Sequence, residues 1–257
     1  MVEFPLDIHS FLDQKYLSFN HPVFIETDPI QVPALFTTKE NIEIAGFLAA
    51  TLAWGQRPTI IRNARSIVHR MDQNPIEFLL NIPEEDWIGF ADFKHRTFNS
   101  MDCLYFLKSL RNIYRNHGGL EAVFTTGFQK DQTIYSALVH FRKVFFELEH
   151  ERRTEKHVSD VAKGAAAKRL NMFLRWMVRS DQLGVDFGLW KQIPSSALML
   201  PLDVHTGNVA RKLGLLTRTQ NDWRAVEEIT QKLREFDPED PIKYDFALFG
   251  LGVFEKF

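Results

Sequence analysis

An all-α fold is predicted for this 257-residue chain by three observations. Apolar residues recur at three- and four-residue spacings along most of its length, sustained period-two alternation is absent, and no Asn-Gly or Asp-Gly dipeptide joins two apolar runs as a hairpin would require. Hydrophobic residues make up 45% of the chain and include 23 Phe, so the expected core is rich in rings. Charged residues at 25% are ordinary for a folded domain and argue against extensive disorder.

Taken in order, residues 1–39 read as an N-terminal arm, extended from Pro22 through Pro33 because its prolines deny it a helix. Glu43 to Trp54 reads as a helix apolar on nearly every face, hence central to a helical lobe. Gly55 can cap it and Pro58 can start the next, which places Gln56 at a helix junction. Helices follow on Cys103, Leu104, Leu107, Leu110, Ile113 and Tyr114 and on Ile134, Leu138, Phe141, Phe145 and Leu148, with a turn at Gly118-Gly119 between them. The next spans about Ser159 to Arg179. A loop from Ser180 to Leu200 leads to a helix opened by Asp203 and closed by Gly214. Two more run from Trp223 to Phe236, stopping at Asp237-Pro238, and from about Pro241 to Leu251. The organisation expected is one unit over 1–257 with two helical lobes, about 40–150 and 151–257, behind the arm.

Composition excludes several classes. Met1 to Asp7 lack the basic start and apolar middle of a secretory signal, and the longest uncharged apolar stretch, Ile44 to Trp54, is too short to cross a bilayer, so a cytoplasmic protein without membrane contact is expected. One cysteine, Cys103, leaves no internal disulfide and no cysteine-ligated zinc or iron–sulfur site. Nine histidines occur without a His-x-x-x-His or His-Glu-x-x-His spacing, so no metal site is expected, and a set of His157, Asp203 and His205 is disfavoured. No Walker A or Gly-x-Gly-x-x-Gly sequence occurs, so no nucleotide cofactor is expected either.

Net charge is −2, yet eight Lys/Arg against two acids fall between Arg152 and Arg179, and they surround Lys168. Such a stripe is most often a solvated helix face and less often a nucleic-acid track. The turn Phe93-Lys94-His95-Arg96-Thr97-Phe98 sets basic groups between aromatics and is a secondary binding candidate, with two phenylalanines able to anchor it.

Two segments carry the chemistry. Lys168 follows Gly164-Ala165-Ala166-Ala167, small residues that let another backbone or a phosphate approach, and it offers an amine nucleophile. Asp203, after Pro201, sits where an aspartate most often caps a helix, and the same carboxylate can stabilise positive charge growing on a sugar ring.

These segments resemble the helix-hairpin-helix DNA glycosylase superfamily. Its lysine followed three residues later by Asn matches Lys168 and Asn171. Its Asp-x-His-x-x-x-x-x-Arg pattern with a Leu-Gly turn matches Asp203, His205, Arg211, Leu213 and Gly214, and its Gln turn matches Ala53-Trp54-Gly55-Gln56. Lys168-Arg-Leu-Asn-Met-Phe-Leu-Arg-Trp176 and Pro201-Leu-Asp-Val-His-Thr-Gly207 are also similar to segments of a family of conserved hypothetical proteins of this length. Among characterised relatives the archaeal 8-oxoguanine glycosylases similarly lengthen the interval between lysine and aspartate. The sequence departs from the superfamily in lacking Leu-Pro-Gly-x-Gly before Lys168 and the iron–sulfur tail.

The resemblance implies a two-lobed helical fold without an iron–sulfur cluster, and a base-excision glycosylase with AP-lyase activity on double-stranded DNA carrying a damaged base, such as an oxidised purine, or an abasic site. Neither a cofactor nor an obligate protein partner is implied. In that frame Lys168 and Asp203 are catalytic, Gln56, Trp54, Trp190 and His205 meet the flipped base, and Arg152, Arg153, Lys163, Gly164, Arg169 and Arg211 hold the DNA backbone. Two alternatives remain: a non-catalytic helix-hairpin-helix protein that binds DNA or a partner, and a small-molecule enzyme that forms a Schiff base on Lys168.

Overall fold

In a computed structural model, residues 7–257 are described, and every regular element among them is helical. The α-helices are α1 (Ile8–Phe19), α2 (Val23–Thr27), α3 (Lys39–Leu52), α4 (Arg57–His69), α5 (Pro75–Asn81), α6 (Ser100–Asn116), α7 (Leu120–Phe128), α8 (Ile134–Phe145), α9 (Lys168–Val178), α10 (Val204–Lys212), α11 (Trp223–Phe236) and α12 (Tyr244–Val253). Short 3-10 turns lie between several of them, and only isolated bridges, His95 with Phe98 and Ala165 with Asp222, interrupt the helical pattern. No helix among the described residues is long and apolar enough to cross a membrane.

Many starts are dictated by caps. Asp7, Thr133, Asp203 and Asp222 each accept a hydrogen bond from a backbone N–H two or three residues on, and Asn99 forms a reciprocal capping box with Asp102. Glycines with positive φ, Gly118 (φ 76°) and Gly119 (φ 95°), carry the chain from α6 into α7.

The chain divides into two compact units, residues 25–160 and residues 7–24 with 161–257. In the first, α3 is buried from Asn41 to Leu52 and packs against α4 and α5. Its Phe47 meets Phe106 of α6 and Phe141 and Phe145 of α8, and Phe124 of α7 stacks on Phe141 at 4.4 Å. The α7–α8 contact is close because residue 127 is glycine: a Cβ there would stand 2.7 Å from the Ala137 Cα and 2.8 Å from the Ser136 carbonyl oxygen. In the second unit α1 and α10 both pack on α12. Phe19 lies against Gly250, and Gly252 faces His205 and Val209.

Three expectations need correction. The arm is not extended: its described part forms α1, α2 and 3-10 turns at Pro29–Gln31 and Pro33–Leu35, since proline at the first position of a turn gives up no hydrogen bond. Residues 1–6 of the arm lie outside the described residues. The boundaries of the two compact units fall after residues 24 and 160, with α1 packed on α12. The helix expected from Ser159 begins only at Lys168. Before it come 3-10 turns at Arg152–His157 and Val161–Lys163, then Gly164 at φ 84° and Ala167 at φ 49°, and the Gly164 carbonyl accepts from the Trp223 N–H at 2.9 Å, outside any helix. The last helix starts at Tyr244, after a 3-10 turn at Pro241–Lys243.

Candidate active site

Lys168 is the first residue of α9 and Asp203 the N-cap of α10. Although 35 residues separate them in sequence, Lys168 Nζ lies 3.8 Å from Asp203 Oδ2, with each side chain about a quarter exposed, 26% and 25%. The same ammonium is 3.6 Å from Met172 Sδ, one turn further along α9.

Asp203 divides its oxygens between two tasks. Oδ1 accepts from the Thr206 N–H at 3.0 Å and from the Thr206 hydroxyl at 3.2 Å, which is the cap; Oδ2 is the oxygen that faces the amine. The backbone of Asp203 is fixed as well. Asn221 donates to its carbonyl at 3.1 Å and accepts from Arg211 Nη2 at 2.6 Å, while Arg211 Nε donates to the Arg218 carbonyl at 2.8 Å. Asn221 fits because residue 207 is glycine; a Cβ there would come within 2.8 Å of its Oδ1.

A third carboxylate, Asp245 on α12, is 5% exposed. Burial pushes it up to about 6, against the pull of the positive charges on Arg175 and Lys168; the negative charge of Asp203 adds to the rise. Arg175 bridges Asp245 and Asp186, and Arg179, fully buried, bonds Asp186 at 3.1 Å, Asp181 at 2.6 Å and Asp240 at 3.0 Å. Burial opposes the charge of Arg179, yet Asp186 and Asp240 outweigh it and raise its pKa, while burial raises that of Asp186. Thus the amine and carboxylate at the surface rest on a buried ionic lattice.

The lattice overturns the reading of Arg152–Arg179 as one basic face. Arg175 and Arg179 point inward, and Arg153 pairs with the buried Asp102 at 2.7 Å and donates to Asn99 and to the Thr97 carbonyl. Arg152 and Lys163 are exposed, Gly164 has open space around it, and Arg169 is partly buried with its guanidinium lowered to about 10 by desolvation. Arg211 is engaged in the Asn221 lock, and His205 is exposed on α10. Trp190, expected to stack on a base, is instead 1% exposed and packs edge-on against Phe173 at 5.4 Å, so it belongs to the core. Gln56 and Trp54 belong to the 25–160 unit, where Gln56 is exposed at the N-terminus of α4. His157 stands 3.2 Å from Asp102 in that same unit, and no group of three His, Cys, Asp or Glu among the described residues is set to hold a metal.

Sequence reasoning missed Asp245 and the inward arginines. The available signals were a lone acid inside the apolar run from Tyr244 to Leu251, and two arginines four apart at the end of the apolar α9, Arg175 in its last turn and Arg179 just past it. Chemically, the arrangement pairs an amine that can attack an electrophilic carbon with a carboxylate that can take up its proton and steady a neighbouring cation. A family model described as a protein of unknown function (DUF2400) matches residues 28–254. No curated protein and no solved structure matches the chain.

Proposed function

We propose a function from the chemistry of the site, taking as premise that the chain belongs to the DUF2400 family, proteins described as of unknown function: it is a DNA base-excision glycosylase with AP-lyase activity. The observation that carries the reading is the approach of Lys168 Nζ to within 3.8 Å of Asp203 Oδ2 at a position a solute can reach. The resemblance of the two segments to helix-hairpin-helix glycosylases supplies the substrate class, duplex DNA bearing a damaged base, with oxidised purines first among those to test.

The reaction runs on these two side chains. Asp203 Oδ2 takes a proton from the ammonium, and the neutral amine attacks C1′ of the flipped nucleotide. The C1′–N bond breaks, its electron pair leaving with the base, which is then protonated. Once Asp203 has handed its proton to the departing base, the restored carboxylate stabilises the positive charge left on the sugar and the lysine nitrogen. Opening of the C1′–O4′ bond gives a Schiff base on Lys168; loss of a C2′ proton then expels the 3′ phosphate by β-elimination, and water releases the lysine. Extruding the nucleotide costs roughly a few kcal/mol, least for damaged or mispaired bases.

Borohydride reduction tests this, because it converts the Schiff base to a stable covalent adduct. With duplexes carrying an abasic site or a panel of lesions, the intact chain forms the adduct and Lys168→Gln does not. Absence of any Lys168-dependent adduct across the panel removes the proposal. It would leave Lys168 as an ion-pair brace between α9 and α10.

A further inference from the structure

The turn at residues 93–98 is more heavily built than a surface loop requires. Phe93 and Phe98 are buried edge to face at 6.1 Å, and His95, 1% exposed, reaches the Trp54 carbonyl at 3.1 Å through Nε2 and the Asn63 side chain at 2.9 Å through Nδ1. Mutual His95–Phe98 backbone hydrogen bonds of 2.8 and 2.9 Å close it. Three buried rings therefore fix a turn whose remaining residues, Lys94, Arg96 and Thr97, are all exposed.

Arg96 has φ 55°, a left-handed conformation that L side chains adopt at a cost. Its guanidinium lies over the Trp54 ring, 4.6 Å from the centroid. Gly55 makes room for it: a Cβ there would lie 3.0 Å from Arg96 Nη1. Neither Lys94 nor Arg96 has a hydrogen-bonded or ion-paired carboxylate among the described residues, in contrast to Arg70, Arg142, Arg153, Arg175 and Arg179. Stacking immobilises a guanidinium without using its N–H donors, which all lie in the plane and remain available to an oxyanion.

We infer that this turn is a phosphodiester clasp: Arg96, held over the Trp54 ring, and Lys94 beside it grip the backbone of a DNA strand. The inference rests on the DNA reading of the protein, and it assigns the 25–160 unit a DNA-binding surface apart from the Lys168–Asp203 pair. The left-handed residue and the glycine beneath it are then accounted for together, since both serve to lay one guanidinium on one ring.

The test is fluorescence anisotropy of the full chain on an abasic-site duplex across a salt series. Arg96→Gly and Lys94→Ala each weaken binding roughly tenfold, the loss of one charge-assisted contact. Each also lowers the slope of log K against log salt by about one. Arg96→Gly does so without lowering Tm, because glycine adopts the same φ freely; a residue whose role was only structural would lose stability instead. Lys143→Ala, removing an exposed cation elsewhere in the same unit, leaves affinity and slope unchanged. Affinity and slope unmoved in both clasp variants, an equal loss in Lys143→Ala, or no DNA binding by the intact chain would each overturn the inference. Trapping at saturating DNA separates it from the proposed function: affinity lost in the clasp variants with no Lys168-dependent adduct keeps the clasp and removes the glycosylase, and an adduct with unmoved affinity does the reverse.

Discussion

Replacing Asp203 in two ways separates its cap from its chemistry. Asparagine caps a helix about as well as aspartate, so Asp203→Asn keeps an oxygen for the Thr206 N–H and hydroxyl and loses only the charge. At 3.8 Å and a quarter exposed, the ion pair with Lys168 contributes under about 1 kcal/mol after screening, and the favourable charge at the N-terminus of α10 a further ~0.3–1 kcal/mol. Asp203→Asn therefore costs about 1 kcal/mol. Asp203→Ala forfeits the cap as well, another ~1 kcal/mol, so its Tm falls below that of the Asn variant by about 2–4 °C for a protein of this size. Trapping follows a different order, with both variants slowing adduct formation together by about 10²-fold or more, because neither has a carboxylate to take the proton. Thermal melts beside borohydride trapping under single-turnover conditions read both quantities. The reasoning is refuted if Asp203→Asn forms adduct at the wild-type rate, or if the alanine variant melts no lower than the asparagine one.

Other perturbations probe the supports of the site. Arg179→Met leaves the buried Asp186 short of a partner and should cost ~3–5 kcal/mol in urea denaturation; a midpoint within error of wild type contradicts the lattice. Asp245 holds its proton in the folded state up to about 6, whereas the unfolded chain releases it near 3.8, so between those values the native state binds more protons and stability falls as pH rises, levelling above about 6. Asp245→Asn should remove that slope from urea midpoints measured across pH 3.5–7, and an unchanged slope would assign the titration elsewhere. Gly127→Ala sets about 1 kcal/mol of helix propensity against ~1–3 kcal/mol of overpacking on the α8 backbone, so Tm should fall; a rise would show that the two helices part easily.

What could be read from the sequence was local. The α11 period from Trp223 to Phe236, the stop at Asp237, the Gly118-Gly119 turn and the Asp203 cap all depend on neighbours within a few residues. Periodicity failed where the chain satisfied its backbone at a distance: nothing near Gly164 announces that its carbonyl belongs to Trp223. Charge failed for the same reason. Arg175 and Arg179 look like members of a basic stripe because some of their partners, Asp240 and Asp245, lie 61 and 70 residues ahead. Spacing said nothing of whether Lys168 and Asp203 meet, and only the packing of α10 on α12 and the start of α9 at Lys168 put that distance on a scale where chemistry is possible.

The packing of α1 on α12 bears on how the molecule is made. During synthesis α1 leaves the ribosome well before the helix it rests on. Residues 25–160 emerge whole in between and can fold as they appear, while α1 waits with its apolar face uncovered. A nascent chain halted before Tyr244 thus carries residues 25–160 whole and an α1 without its main support.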